Sequence, residues 1–173
     1  MISDPYVVRL AQRRDVALLP DIERRAGTRF DAYGLDKVMT EILTSLYDLE
    51  QSLAGQRLWV AAAASDRPVG FALACVVDSN AHLDELDVLP EHGRHGIGTA
   101  LVETVCAWGR ANGFKAITLS TLSHIPWNAP FYNRLGFRIL PPDELSETLQ
   151  NLLREEVALG LPTDHRVIMR REL

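Results

Sequence analysis

Polar and apolar positions alternate along this chain in two rhythms, and the points where one gives way to the other outline its elements. Tyr6 to Leu10 has the make-up of a short strand. From Asp15 the apolar positions Val16, Leu19, Ile22 and Ala26 fall at helical spacing, with Asp15 as N-cap and Gly27 as the stop. Leu35, Val38, Met39, Ile42, Leu46, Leu49 and Leu53 keep that spacing and predict a second amphipathic helix over 35–53, ended by Gly55. The runs "RLWVAAAA" and "PVGFALACVV", separated by "SDR", predict a hairpin of buried strands, and "AHLDELDV" adds a third.

Beyond Val88 the helical rhythm returns. Thr99 to Asn112 carries Ala100, Leu101, Val105 and Trp108 on one side, with Asn112-Gly113 as the stop. "KAITLSTL" predicts a buried strand, "PWNAPFYNRLG" a short helix with Pro126 in its first turn and Gly136 at its end, and "FRIL" another strand. "PPDELSETLQNLLREEVALG" predicts a polar helix with Pro142 near its start, whose Leu145, Leu149, Leu152 and Leu153 stripe packs on a sheet. "HRVIMRREL" closes the chain as a strand, and its edge offers a surface on which two copies would pair as a homodimer. The order is one strand, two helices, three strands, then helices and strands in turn. It predicts an α/β fold in a single domain over residues 1–173, with a mixed central sheet of about seven strands flanked by helices.

Composition narrows the class. A chain of 173 residues, 47% apolar and 24% charged, buries enough surface to fold without disulfide or metal. A net charge of -5 argues against nucleic acid as a partner and suits a cationic one. Cys75 and Cys106 both sit in apolar runs and lack the spacing of a metal site or the partners of a catalytic thiol. "MISDPYVVRL" has no apolar core of a signal peptide, and no run of 18 apolar residues follows, so no membrane partner and a cytoplasmic location are expected.

Candidate chemistry begins at "VLPEHGRHGIGTALVETVCAWG", where Gly93, Gly96 and Gly98 stand at the handover from strand to helix. Two readings fit. Either a tight turn needs glycine geometry, or a phosphate comes against bare backbone at a helix N-terminus, with Arg94 and His95 beside it. A Walker loop is excluded because "GIGTA" has no lysine. A dinucleotide fingerprint is excluded because the neighbourhood of Thr118 lacks the acidic residue it requires. One strand later, "HIPWNAPFYNRLGF" places Asn128 and Tyr132 four apart, on one face of the expected helix.

These two units together resemble the GNAT superfamily of acetyl-CoA-dependent N-acetyltransferases. Its first motif, V-x-P-x-x-[QR]-x-x-G-x-G, matches Val88-Leu89-Pro90 through Gly96-Ile97-Gly98, and its second, Y-x-x-x-G-F, matches Tyr132 through Gly136-Phe137. The resemblance covers nearly the whole chain. It implies a sheet splayed between the fourth and fifth strands, and acetyl-CoA as co-substrate with no metal. The pyrophosphate would lie on the backbone of Arg94, His95, Gly96, Ile97, Gly98 and Thr99, and the pantetheine arm along Leu86, Asp87 and Val88. Tyr132 would be the general acid toward the departing thiolate, with Asn128 as a further cofactor contact. Two positions depart from the pattern: Gly93 stands where the family has Gln or Arg, with Arg94 one place later, and Ile125 stands where many members have Asn.

An alkyl ammonium with a pKa near 10.4 must lose a proton before it can attack a thioester. In "HLDELDV", Glu85 and Asp87 share one face with Leu83, while Asp84, Leu86 and Val88 share the other. Two carboxylates on one face of an inner strand predict a wet cleft. The resemblance, whose members often place a base on this strand, implies Glu85 as the base; a bulge would promote Asp84, and Asp87, His124 or water are the other candidates. The resemblance implies that the acceptor, a small-molecule or peptide amine, lies against the segments 30–53 and 125–140. Phe30 and Tyr33, with Asp31 and Asp36 beside them, would receive it, and His124 would contact it from the second segment. The alternative to an enzyme is a sensor that binds acyl-CoA without turnover.

Overall fold

The structure, a computed structural model, describes Ile2 and residues 5–173, except that the side chain of Asp36 lies outside the described residues. Seven strands form one mixed sheet in the order β1-β2-β3-β4-β5-β7-β6, with β1 Val7–Leu10, β2 Leu58–Ala62, β3 Pro68–Val77, β4 Asn80–Val88, β5 Ala116–Leu122, β6 Arg138–Ile139 and β7 Arg166–Glu172. The helices are α1 Arg13–Val16, α2 Leu19–Gly27, α3 Asp36–Glu41, α4 Leu46–Ala54, α5 Ile97–Ala111, α6 Ala129–Arg134 and α7 Glu147–Ala158. This is the expected α/β architecture with the expected number of strands. No helix among the described residues is long and apolar enough to cross a membrane.

The chain forms two compact units, residues 1–75 with 84–105, and residues 76–83 with 106–173. In the first, β1, β2 and β3 pair antiparallel, and all five residues of β2 are buried, as a continuous apolar run requires. Leu19, Leu49, Leu58, Phe71, Leu73 and Leu101 are among its large buried side chains. Each contributes roughly 1.5–3 kcal/mol by leaving water. Arg9 ties β1 to α1 and to the β2–β3 turn, through Asp15 at 2.7 Å and Asp66 at 2.8 Å. Asp78 and Ser79, with φ of 49° and 59°, make the two-residue turn from β3 into β4, the geometry whose twist suits a hairpin.

In the second unit β4 pairs parallel with β5 over Ala81–Leu83 against Ile117–Leu119, and β5 pairs antiparallel with β7 along its whole length. His82 lies at this joint, 2% exposed, with Nδ1 2.8 Å from Thr118 Oγ1. Leu140, Leu149 and Ile168 are buried together, with Leu145, Leu152 and Leu153 packed against them, so the leucine stripe of α7 is core. Contrary to expectation, the terminal strand is not the last in the sheet: β7 is paired with β5 on one side and, at Met169 and Arg170, with β6 on the other.

Several boundaries differ from the rhythm, each for a local reason. Asp15 lies inside α1 rather than at its start, where it accepts a bond from Gln12 N at 2.7 Å, and the helical run breaks before α2. α2 ends at Gly27 as expected, but the chain does not leave the helical path there. The chain continues through a 3-10 turn, Thr28–Tyr33, to Gly34 at φ 71°. Gly27 is small for another reason: a Cβ there would stand 2.0 Å from the Met39 carbonyl oxygen. The single helix expected over 35–53 is two, because Thr44 leaves the helical path to bond Glu23 and Ser45 caps α4 by accepting from Asp48 N at 3.1 Å. Pro130, not Pro126, occupies the first turn of α6, and α7 starts at the Ser146 cap, after a separate turn opened by Pro142.

Candidate functional site

In the first unit β4 runs into the glycine segment. Leu89 is buried and its amide donates to Val69 O at 2.9 Å, which anchors the strand's exit. A short turn, Pro90–His92, follows, and Gly93 is extended, with φ -65° and ψ 160°. The left-handed residues are Arg94 at φ 62° and Gly96 at φ 77°. Only the second sits where sequence places a glycine for that purpose; Arg94 holds a conformation that L side chains rarely adopt. α5 begins directly afterwards, and the amide of Ala100 makes its first helical bond, to Gly96 O at 3.0 Å. The amides before it have no carbonyl one turn below, so this end of a fifteen-residue helix presents free N–H groups and a partial positive charge, with the Arg94 and His95 side chains exposed beside it.

The segment is braced from outside. Tyr6 Oη lies 2.8 Å from His92 Nδ1, and its ring packs on His95 at 5.4 Å between centroids. Arg25 on α2 pairs with Glu91. Nothing in the motif pattern signals the Tyr6 contact, which comes from the residue just before β1.

Behind the segment, β4 turns Glu85 and Asp87 to one side as the alternation predicts, and α2 adds Glu23. One carboxylate oxygen of each lies within 4.8 Å of the other two. Glu23 is 6% exposed and accepts from Thr44 N at 2.9 and 3.1 Å and from Thr44 Oγ1 at 3.2 Å. Part of Asp87 remains accessible, but its Oδ2 is buried and receives no hydrogen bond. Burial pushes the Asp87 carboxyl well above its ordinary range, and the charges of Glu85 and Glu23 push the same way, while Arg29 opposes them. Burial likewise raises Glu23 against the pull of the Thr44 donors. Glu85 Oε1 accepts from Leu86 N at 3.1 Å. Asp84 is exposed and is not one of the three, although its charge also raises Glu23. Glu23 is the member that sequence reasoning missed. The signal is a charge on the buried face of an amphipathic helix, one turn from Leu19 and beside Ile22.

Of the other expected acceptor contacts here, Phe30 is half-buried and Tyr33 is 38% exposed, both on the 3-10 turn. Cys75 is partly exposed, not a full core residue, but burial of its sulfur raises the thiol to about 12, so it is no thiolate at neutral pH.

In the second unit Tyr132 is 9% exposed on α6, edge-on to Phe131 at 5.0 Å and to Phe137 at 5.9 Å. Asn128 does not share a helical face with it. It is the residue before α6, at φ -90° and ψ -82°, and its amide donates to Ile125 O at 3.0 Å. His124 stacks at 4.2 Å on His165, and slight burial and that neighbour's charge hold its imidazole below the usual histidine value.

A family described as Acetyltransferase (GNAT) family matches residues 23–137. The chain is 29% identical over 113 residues to the peptidyl-lysine N-acetyltransferase YjaB of Escherichia coli strain K12, covering 65% of this chain and 71% of that protein. Among solved structures, an N-acetylglutamate synthase from Neisseria gonorrhoeae, complexed with coenzyme A and N-acetyl-glutamate, superposes with a TM-score of 0.73 at 18% identity; the match covers 99% of this chain but only 36% of that one. The PaiA N-acetyltransferase of Thermoplasma acidophilum, in complex with coenzyme A, gives 0.67 at 16% identity over 97% of this chain and 99% of its own. With two thirds of its length inside the family match, this chain belongs to the GNAT acetyltransferase family, and with it to the N-acetyltransferases.

Proposed function

We propose that the protein moves the acetyl group of acetyl-CoA to a primary amine by direct attack in a ternary complex, with Tyr132 as general acid and Glu85 as general base. The observation that carries this reading is the pair of left-handed residues, Arg94 and Gly96, set directly before α5, because it leaves consecutive backbone N–H groups free at a helix N-terminus. That is a fit for a diphosphate. Ile97, Gly98 and Thr99 would hold it through their amides, Arg94 and His95 through side chains, with the backbone of Leu86, Asp87 and Val88 along the arm that follows. Coenzyme A in two solved structures of similar fold supports acetyl-CoA as the co-substrate. Asn128 contributes through its place just before α6 rather than along a helical face.

When bound, acetyl-CoA supplies a thioester whose carbonyl is open to attack. Glu85 takes a proton from the acceptor nitrogen, the N–C bond forms as the C–S bond breaks, and Tyr132 protonates the leaving sulfur. One proton is released per acetyl group transferred. Phe30, Tyr33 and His124 are the acceptor contacts of this reading. The E. coli relative's name makes a lysine side chain one acceptor to try. We read residues 1–173 as one cytoplasmic N-acetyltransferase domain, since β3, β4 and α5 each run from one unit into the other.

Thiol release from acetyl-CoA against a panel of amines tests the activity. Tyr132→Phe is expected to lower turnover roughly ten- to ten-thousandfold with coenzyme affinity kept, and Glu85→Gln to lower the rate most at acidic and neutral pH. Equal turnover by Tyr132→Phe removes the acid, and an unchanged pH profile in Glu85→Gln removes the base. Coenzyme binding with only slow thioester hydrolysis, whatever the amine, would make the chain a sensor.

A further inference from the structure

One side chain from outside the glycine segment meets both ends of its strained turn. Tyr6, half-buried just ahead of β1, has its hydroxyl 2.8 Å from His92 Nδ1, and its ring meets His92 edge-on at 5.6 Å and His95 at 5.4 Å between centroids. The two histidines also meet each other. His95 Nδ1 donates to the His92 carbonyl oxygen at 3.2 Å, the only role that a carbonyl partner leaves it. Between them lie Gly93, extended, and Arg94, left-handed at φ 62°. A residue with a Cβ keeps that conformation only where its surroundings over-determine it. Holding His92 and His95 against one ring does so, because a short span with both ends fixed has few backbone paths left.

Tyr6 stands on a firm base. β1 starts one residue later and is held without it, since Val7 to Leu10 pair with β2 and Arg9 bonds Asp15 and Asp66. The Arg25–Glu91 pair adds a second tie just before His92. We infer that Tyr6 is a positioning residue for the coenzyme: through His92 and His95 it holds Arg94 left-handed, so that the amides ahead of α5 stand ready before the diphosphate arrives. This rests on the acetyl-CoA reading above and adds a residue that lies outside both coenzyme motifs. A segment ordered in advance loses less freedom when it binds, so Tyr6 strengthens coenzyme binding without touching the coenzyme.

The test is calorimetric titration of the full chain with coenzyme A. Tyr6→Phe keeps the ring beside His95 and removes the bond to His92, and should weaken binding about fivefold, the loss that one ordinary hydrogen bond represents. Tyr6→Ala removes both contacts and should weaken it further. Tyr6→Phe added to His92→Ala should bind coenzyme A as His92→Ala alone does, within about twofold, since the two changes remove one shared contact. S-Acetylpantetheine has the thioester and no diphosphate, so its inhibition constant against coenzyme A should be the same in wild type and Tyr6→Phe. Unchanged coenzyme affinity in Tyr6→Phe, or additive losses in the double variant, overturns the inference and leaves acetyl transfer standing. So does an equal loss for S-acetylpantetheine, which would make Tyr6 a general structural support. Where Tyr6→Ala fails to fold, Tyr6→Phe still decides. Failure of wild type to bind coenzyme A would overturn the acetyl-CoA reading itself.

Discussion

Glu23 and Asp87 hold their protons to higher pH than free carboxylic acids, chiefly because burial disfavours their charge, whereas Asp15, also buried, is carried below its ordinary value by hydrogen bonds from Arg9 and the Gln12 amide. The signs for stability are opposite. A raised carboxyl favours the folded state at low pH and loses that contribution as pH climbs through its folded value; Asp15 contributes above the ordinary carboxylate range and loses its share as pH falls. His82 belongs with Asp15 in direction. Its ring is enclosed beside Thr118 and burial lowers its pKa to about 4, so the unfolded chain takes up a proton below pH 6.5 that the folded one refuses. Stability is therefore expected to fall between about pH 6.5 and 4, by about 3 kcal/mol from this residue. Chemical denaturation across that range checks it: His82→Asn should flatten this part of the profile whatever its effect at neutral pH, and an equal slope in both proteins would show that His82 is not the cause.

At the level of elements, β2 and β3 are legible because long apolar runs leave a strand no other way to bury them, β5 because its apolar and small polar residues suit a buried strand, and in β4 the two-residue period of a strand puts Glu85 on the same face as Asp87. The helices before them are not, since an apolar rhythm over 35–53 cannot reveal that Thr44 leaves the helix to satisfy Glu23. The site shares this pattern. Its loop is visible as glycines, yet Glu23 resembles any helical charge until α2 is known to bury that face, and Asn128 moves off its expected face because α6 starts late. Within the loop, Arg94 carries the left-handed conformation that the neighbouring Gly93 does not. Such a φ costs a residue with Cβ roughly 1 kcal/mol. Arg94→Gly is thus expected to be more stable than Arg94→Ala by about 1 kcal/mol, the reverse of the order inside a helix, while both weaken coenzyme binding to a similar degree. Thermal denaturation of the two variants checks the first, and equal stability would mean the turn does not hold Arg94 as described.

For the whole molecule, the division into residues 1–75 with 84–105 and 76–83 with 106–173 sets a question that local geometry leaves to solution behaviour. The chain passes between these units within β3, within β4 and within α5, so unfolding either one would tear elements that belong to the other. That continuity makes unfolding as one domain the expected outcome. A ligand held by the loop before α5 then stabilises the entire chain and not its own unit alone. At a hundred times its dissociation constant it adds about 2.7 kcal/mol. For a chain of 173 residues each kcal/mol moves the midpoint by about 2–4 °C, so saturating acetyl-CoA should raise it by roughly 5–10 °C. A calorimetric scan is expected to show one transition that shifts as a unit. Two transitions of which only one responds would show that the units unfold independently, and would limit the coenzyme's hold to residues 1–75 and 84–105; no shift at all would take the diphosphate away from Arg94 to Thr99, and with it the direction from which a thioester reaches Glu85.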